Sequence, residues 1–114
     1  MRRNLIQVFA CDVVLVGLII SCAGFSHAQD GGETLFKRRC PACHGSDGKG
    51  ETPMGKKLGA ANLTSTEVQS QSDAQLTDVI TKGKNNKMPS FDGKLSKDEI
   101  AELVAYIREL GKNH

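Results

Sequence analysis

Residues 40–44 read Cys40-Pro41-Ala42-Cys43-His44, and forty-four positions after His44 the chain reads Met88-Pro89. The C-x-x-C spacing brings two thiols to one face of a helical turn, so that each can add across one of the two vinyl groups of a single porphyrin. With the adjoining histidine it is the attachment sequence of haem c. His44 is placed to turn its imidazole under the ring and bind the iron. A soft thioether such as that of Met88 closes the opposite coordination position, favours ferrous iron and raises the potential. An iron with both axial sites held by protein passes electrons and does little else.

Other uses of the same residues fit less well. Zinc needs a fourth ligand, and beyond the leader the chain offers only the terminal His114 and Met88 besides scattered carboxylates. A thioredoxin-like motif belongs between a strand and a helix, whereas this one ends a predicted helix and precedes a Gly-rich stretch. An iron–sulfur cluster wants four thiolates, and two of the four cysteines, Cys11 and Cys22, fall in the leader. For the sixth ligand, Met54 is the rival of Met88, with His114 a further alternative. Met54 follows His44 by ten residues, too near the proximal side to swing easily across a ring.

The first 28 residues have the pattern of a secretory signal: basic Met1-Arg2-Arg3, an apolar run from Val13 to Ile20, and the small-residue site Ser26-His27-Ala28. Cleavage after Ala28 is expected, leaving residues 29–114 as one domain. Two alternatives stand beside it. Ile19-Ile20-Ser21-Cys22 resembles a lipoprotein signal with Cys22 as the lipidated residue, and Leu5 to Phe25 approaches spanning length, although Asp12 interrupts it. Export puts the domain in the periplasm or another extracytoplasmic space, with no transmembrane span in the mature protein.

The remaining 86 residues are few for a self-sufficient apolar core, and a buried cofactor would supply what is missing. Setting aside Arg2, Arg3 and Asp12 leaves 13 basic and 12 acidic side chains, a balance that excludes nucleic acid as the partner. The basic residues Lys37, Arg38, Arg39, Lys49, Lys56 and Lys57 lie around the attachment motif, and Lys82, Lys84, Lys87 and Lys94 flank Met88. A basic docking face and a mixed solvated surface are both open readings.

Three helical segments and no strand are expected, an all-α fold. The first runs from about Gly31 into the haem motif, with Asp30 as N-cap and Glu33 in the capping-box position. The second runs from Asp73 to Lys82 behind the capping box Ser72-Asp73-Ala74-Gln75, and Gly83 is its stop. The third opens with Ser96-Lys97-Asp98-Glu99 and closes at Gly111, and its apolar residues Ile100, Leu103, Val104, Ile107 and Leu110 form one stripe. Between the first two lies a stretch of about 28 residues, Gly45 to Ser72, read as an irregular loop around a flat cofactor.

On these features the chain resembles a small class I c-type cytochrome, monohaem, of the bacterial or cytochrome c6-like kind, over nearly all of residues 30–111. Gly32 and Phe36 match that family's glycine and aromatic before the first haem cysteine, and Leu103 and Tyr106 its pair on the final helix. The resemblance implies a cytochrome c fold, three main helices wrapped around one covalently bound haem c, with N- and C-terminal helices crossing where the glycine permits close approach and the aromatics interlock. It implies covalent attachment at Cys40 and Cys43, axial ligation by His44 and Met88, and Pro53 as the residue whose carbonyl accepts the Nδ1 hydrogen of His44. The family's propionate-binding indole has no counterpart here, because the chain has no Trp.

The expected function is a monomeric, non-enzymatic electron carrier, shuttling one electron between redox protein partners such as a membrane complex, an oxidase, a reductase or a photosynthetic centre. The alternatives are a dedicated haem c subunit of a dehydrogenase or oxidase complex, and a haem sensor or peroxidase with a displaceable Met88.

Overall fold

The computed structural model describes residues 27–114, which form six helices: α1 (His27–Arg39), α2 (Pro41–His44), α3 (Pro53–Leu58), α4 (Thr66–Gln69), α5 (Asp73–Lys82) and α6 (Lys97–Lys112). The basic start, the apolar run and Cys22 of the expected leader lie outside these residues. No strand occurs among the described residues; the nearest approach to one is a bridge between Lys84 and Met88.

Helices α5 and α6 follow directly from their sequence signals. Each opens with a complete capping box, Ser72 with Gln75 and Ser96 with Glu99, in which the serine oxygen accepts from the third backbone N–H and the longer side chain accepts from the serine N–H. The α6 stripe buries Ile100, Leu103, Val104, Ile107 and Leu110. Its main partner is α1, and this is the most extensive contact between helices among the described residues.

The crossing has the form that small residues permit. A β-carbon at Gly32 would overlap the carbonyl oxygen of Glu102, so only glycine lets the two backbones come this close. One turn along, Phe36 is fully buried and its ring meets Tyr106 at a centroid distance of 5.2 Å and an interplanar angle of 52°, a tilted arrangement suited to aromatic quadrupoles.

Three features differ from the sequence expectation. Helix α1 already includes His27–Asp30, so Asp30 lies within the helix and not at an N-cap position; Ala28 and Gln29 favour helix by propensity. Gly111 lies inside α6, which runs on to Lys112 with Asn113 as its cap. A β-carbon at Gly111 would overlap the Gln69 side chain, so this glycine makes room for a neighbour instead of ending the helix. The stretch 45–72 is not a plain loop: it contains α3, capped by Thr52, and α4, capped by Ser65.

The α4 region is tied to α6 by polar contacts. The Gln69 Nε2 donates to the carbonyls of Leu63 (2.7 Å) and Ile107 (2.9 Å). Arg108, mostly covered, donates to the carbonyls of Gln69 (2.9 Å) and Gln71 (2.5 Å) and to Asp73 Oδ1 (2.8 Å). These bonds fix the segment that carries buried Leu63 and Val68, which line a central space together with Leu76 and Ile80 of α5.

Candidate functional site

Between these walls lies a cavity of about 450 Å³, lined by Cys40, Cys43, His44 and Met88 together with Phe36, Leu63, Val68, Leu76, Ile80, Phe91, Leu103 and Ile107. Cys40, Cys43, His44 and Met88, the attachment and ligand residues expected from the sequence, therefore meet in one apolar chamber. Met54 does not: it is 48% exposed and forms no part of the lining, and neither does His114.

The attachment motif is held from behind. Helix α1 runs through Cys40 straight into the single turn α2, where Cys40 N–H bonds to Phe36 O (2.9 Å) and His44 N–H to Cys40 O (3.0 Å). Both thiols are free. Burial, and to a smaller extent the neighbouring Cys43, push the Cys40 thiol up to about 11. Thr52 closes the far end of α2: its hydroxyl lies 2.7 Å from the Ala42 carbonyl and 3.1 Å from that of Cys43, and its oxygen accepts from Gly55 N–H. Those carbonyls are the ones a short helix leaves without internal partners.

His44 is oriented by a backbone carbonyl, but not by the one expected. Its Nδ1 sits 3.0 Å from the Ala61 carbonyl oxygen. A carbonyl only accepts, so Nδ1 carries the proton and Nε2 keeps a free lone pair for a metal. Pro53 is corrected from this role: it stands at the first position of α3, where its carbonyl points along the helix into the intrahelical ladder. Ala61 gave no sign in the sequence, since any residue supplies a carbonyl.

Met88 is presented by a tight return. Lys84 and Met88 exchange backbone hydrogen bonds (3.1 and 3.0 Å), and Asn85 and Asn86 take positive φ of 55° and 54° at the tip. Both are asparagines, the non-glycine residue type that tolerates this region best. Lys84, Lys87 and Arg39 also border the cavity, so part of the basic cluster read from the sequence surrounds it.

The chamber fits a haem. It combines an apolar interior of the size of a cofactor pocket, two thiols on one turn, an imidazole with its metal-binding nitrogen free and a thioether. Those are the donors that a covalently held, six-coordinate haem requires.

Comparison with known proteins agrees. The family described as "Cytochrome C oxidase, cbb3-type, subunit III" matches residues 27–107. The Cbb3-type cytochrome c oxidase subunit FixP of Bradyrhizobium diazoefficiens is 35% identical over 81 residues, which cover 70% of this chain and 27% of that protein. The CcoP subunit of Rhodobacter capsulatus is 35% identical over 109 residues, 88% of this chain and 35% of that protein. The chain thus spans about a third or less of the length of these oxidase subunits. A solved structure, the KustC0563 c-type cytochrome, superposes with a TM-score of 0.65 at 34% identity, covering 69% of this chain and 95% of that one. Helix order, the cavity with its donors, and these likenesses lead to one conclusion: the chain belongs to the cbb3-type oxidase subunit III family, as a c-type cytochrome domain whose cofactor is covalently bound haem c.

Proposed function

We propose that the chain is a one-haem electron-transfer module, in an extracytoplasmic space, that feeds electrons to a membrane-bound oxidase of the cbb3 type. The observation that carries this reading is the convergence of Cys40, Cys43, His44 and Met88 on one cavity in a domain whose relatives are named as subunits of that oxidase. The oxidase-associated role takes precedence over the free shuttle expected from the sequence, because the likeness is to oxidase subunits. The haem, when bound, supplies a one-electron couple. Cys40 and Cys43 anchor it, His44 offers Nε2, Met88 offers its sulfur, and the apolar walls exclude water, which keeps the reorganisation on electron exchange small. With both axial positions taken, the domain performs no substrate chemistry of its own.

Association with the oxidase is tested by purifying a tagged chain from detergent-solubilised membranes of a host that makes a cbb3-type oxidase. Oxidase haem should co-purify at moderate salt, and the reduced domain should be reoxidised by air only when that oxidase is present. Reoxidation at equal rate by membranes lacking the oxidase would overturn the assignment. If Arg39, Lys84 and Lys87 help dock an acidic partner, the rate should fall as salt rises, since exposed charges are screened over about 8 Å at physiological ionic strength.

Ligation is tested by substitution. Met88→Ala should abolish the weak far-red band of a Met-ligated ferric haem and lower the potential, because the soft ligand that stabilises ferrous iron is gone. Met54→Ala should leave both unchanged, as expected for a half-exposed side chain away from the cavity. An exchange of these two outcomes would transfer the ligand role to Met54.

A further inference from the structure

The segment that carries Met88 is fastened to the end of α5 by a latch that the haem motif does not require. Helix α5 stops at Lys82, which leaves its last carbonyls without partners inside the helix. Those of Ile80 and Thr81 are satisfied by the residues just beyond Met88: Phe91 N–H bonds to Ile80 O (3.2 Å), Asp92 N–H to Thr81 O (3.1 Å), and the Ser90 hydroxyl donates to the same Thr81 O at 2.7 Å. The Ser90 oxygen in turn accepts from Asp92 N–H at 3.2 Å.

Gly83 makes this closeness possible. It has φ of 76°, and a β-carbon there would overlap the Met88 carbonyl oxygen and crowd the backbone of Pro89 and Ser90. Upstream, Met88 is tied to Lys84 by its own backbone bonds. Downstream, Pro89 has no N–H to give, so the first anchor after Met88 is the Ser90 side chain. Among the described residues it is also the one side-chain hydrogen bond between this segment and α5. The bond is short, partly buried, and two residues from the sulfur.

We propose that Ser90 is a positioning residue for Met88: its hydroxyl, bonded to the Thr81 carbonyl, holds the segment 88–90 on Gly83 and so keeps the thioether on the iron. The proposal rests on the reading of Met88 as sixth ligand. Its effect is greatest in the ferric state, where a soft sulfur binds a harder iron and loop strain decides whether the sulfur stays. Loss of the hydroxyl removes one hydrogen bond from the ligated arrangement and none from the arrangement in which the segment has swung away. The population open to an outside ligand therefore rises.

Imidazole titration of the ferric holoprotein, followed by loss of the far-red band, reads that population, because apparent affinity scales with the fraction of molecules in the competent state. Ser90→Ala should raise the apparent imidazole affinity about tenfold, the equivalent of one hydrogen bond, while Ser90→Thr, which keeps the hydroxyl, should titrate like the parent. Ser72→Ala supplies the control for general destabilisation: it removes the N-cap of α5, at a similar cost to overall stability, and should leave imidazole affinity unchanged. A Ser90→Ala protein that titrates like the parent would overturn the latch while leaving Met88 as ligand. An equal shift in Ser72→Ala would overturn it too, by making the effect one of global stability. A parent protein with no far-red band would remove the Met88 reading itself, and the latch with it.

Discussion

Replacing Cys40 and Cys43 together by alanine should yield a colourless chain with little cooperative structure. Without a tethered haem the domain must close or flood a cavity of about 450 Å³ whose walls include Leu63, Val68, Leu76 and Ile80. Water taken up there would lie against apolar side chains that have lost their packing partner, a cost set against the small net stability of a domain of this size. Helices α2, α3 and α4 are too short to persist without tertiary support, and they carry Cys43, His44, Leu58 and Val68 of that wall. Single substitutions should be milder, since one thioether still retains the porphyrin. The check is far-UV circular dichroism with a denaturant titration of the exported product. A colourless double variant that unfolds cooperatively near the parent's midpoint would show that the polypeptide supplies its own core.

The second large effect lies at the α1–α6 crossing. Phe36→Ala should destabilise the holoprotein by about 3–5 kcal/mol, because it leaves a ring-sized hole at a fully buried position against Tyr106. Gly32→Val should do at least as much damage by a different route, since its side chain would strike the Glu102 carbonyl and force the helices apart. Phe36 borders the haem cavity, yet it offers no group to the iron, so the potential should change little. Denaturant unfolding and potentiometry of the same samples separate the two properties. Unchanged unfolding midpoints in both variants would contradict the helix contact.

How much of this was legible in the sequence depended on whether a side chain or a backbone carried the information. The C-x-x-C-H motif, the Ser72 and Ser96 capping boxes and the α6 stripe are side-chain signals, and they placed α5 and α6 to within two residues. The pairing of Gly32 and Phe36 with α6 was legible only through the resemblance to class I c-type cytochromes, and the crossing bears it out. Helix α3 carried signals that could have been used, a Thr52 cap, Pro53 at the first position and Gly59 in the left-handed region at its end; six residues gave too little periodicity to outweigh the Gly- and Lys-rich composition. Helix α4, with four residues, has no periodicity at all. The carbonyl that orients His44 was misassigned to Pro53 because a carbonyl belongs to every residue, and only the path of the chain brings that of Ala61 to the ring. Gly111 was read as a stop when its absent side chain makes room for Gln69. Gln69 and Arg108 join segments nearly forty residues apart, and no local pattern announces such a contact.

The central claim is that the protein itself fills both axial positions of the haem, which is what separates an electron-transfer domain from a haem sensor or peroxidase. The most direct test is the optical spectrum of the dithionite-reduced protein at neutral pH before and after saturation with carbon monoxide. If His44 and Met88 hold the iron, the two spectra should coincide, and only Met88→Ala should form the carbon monoxide complex. Rapid and stoichiometric formation of that complex in the unsubstituted protein would contradict the account.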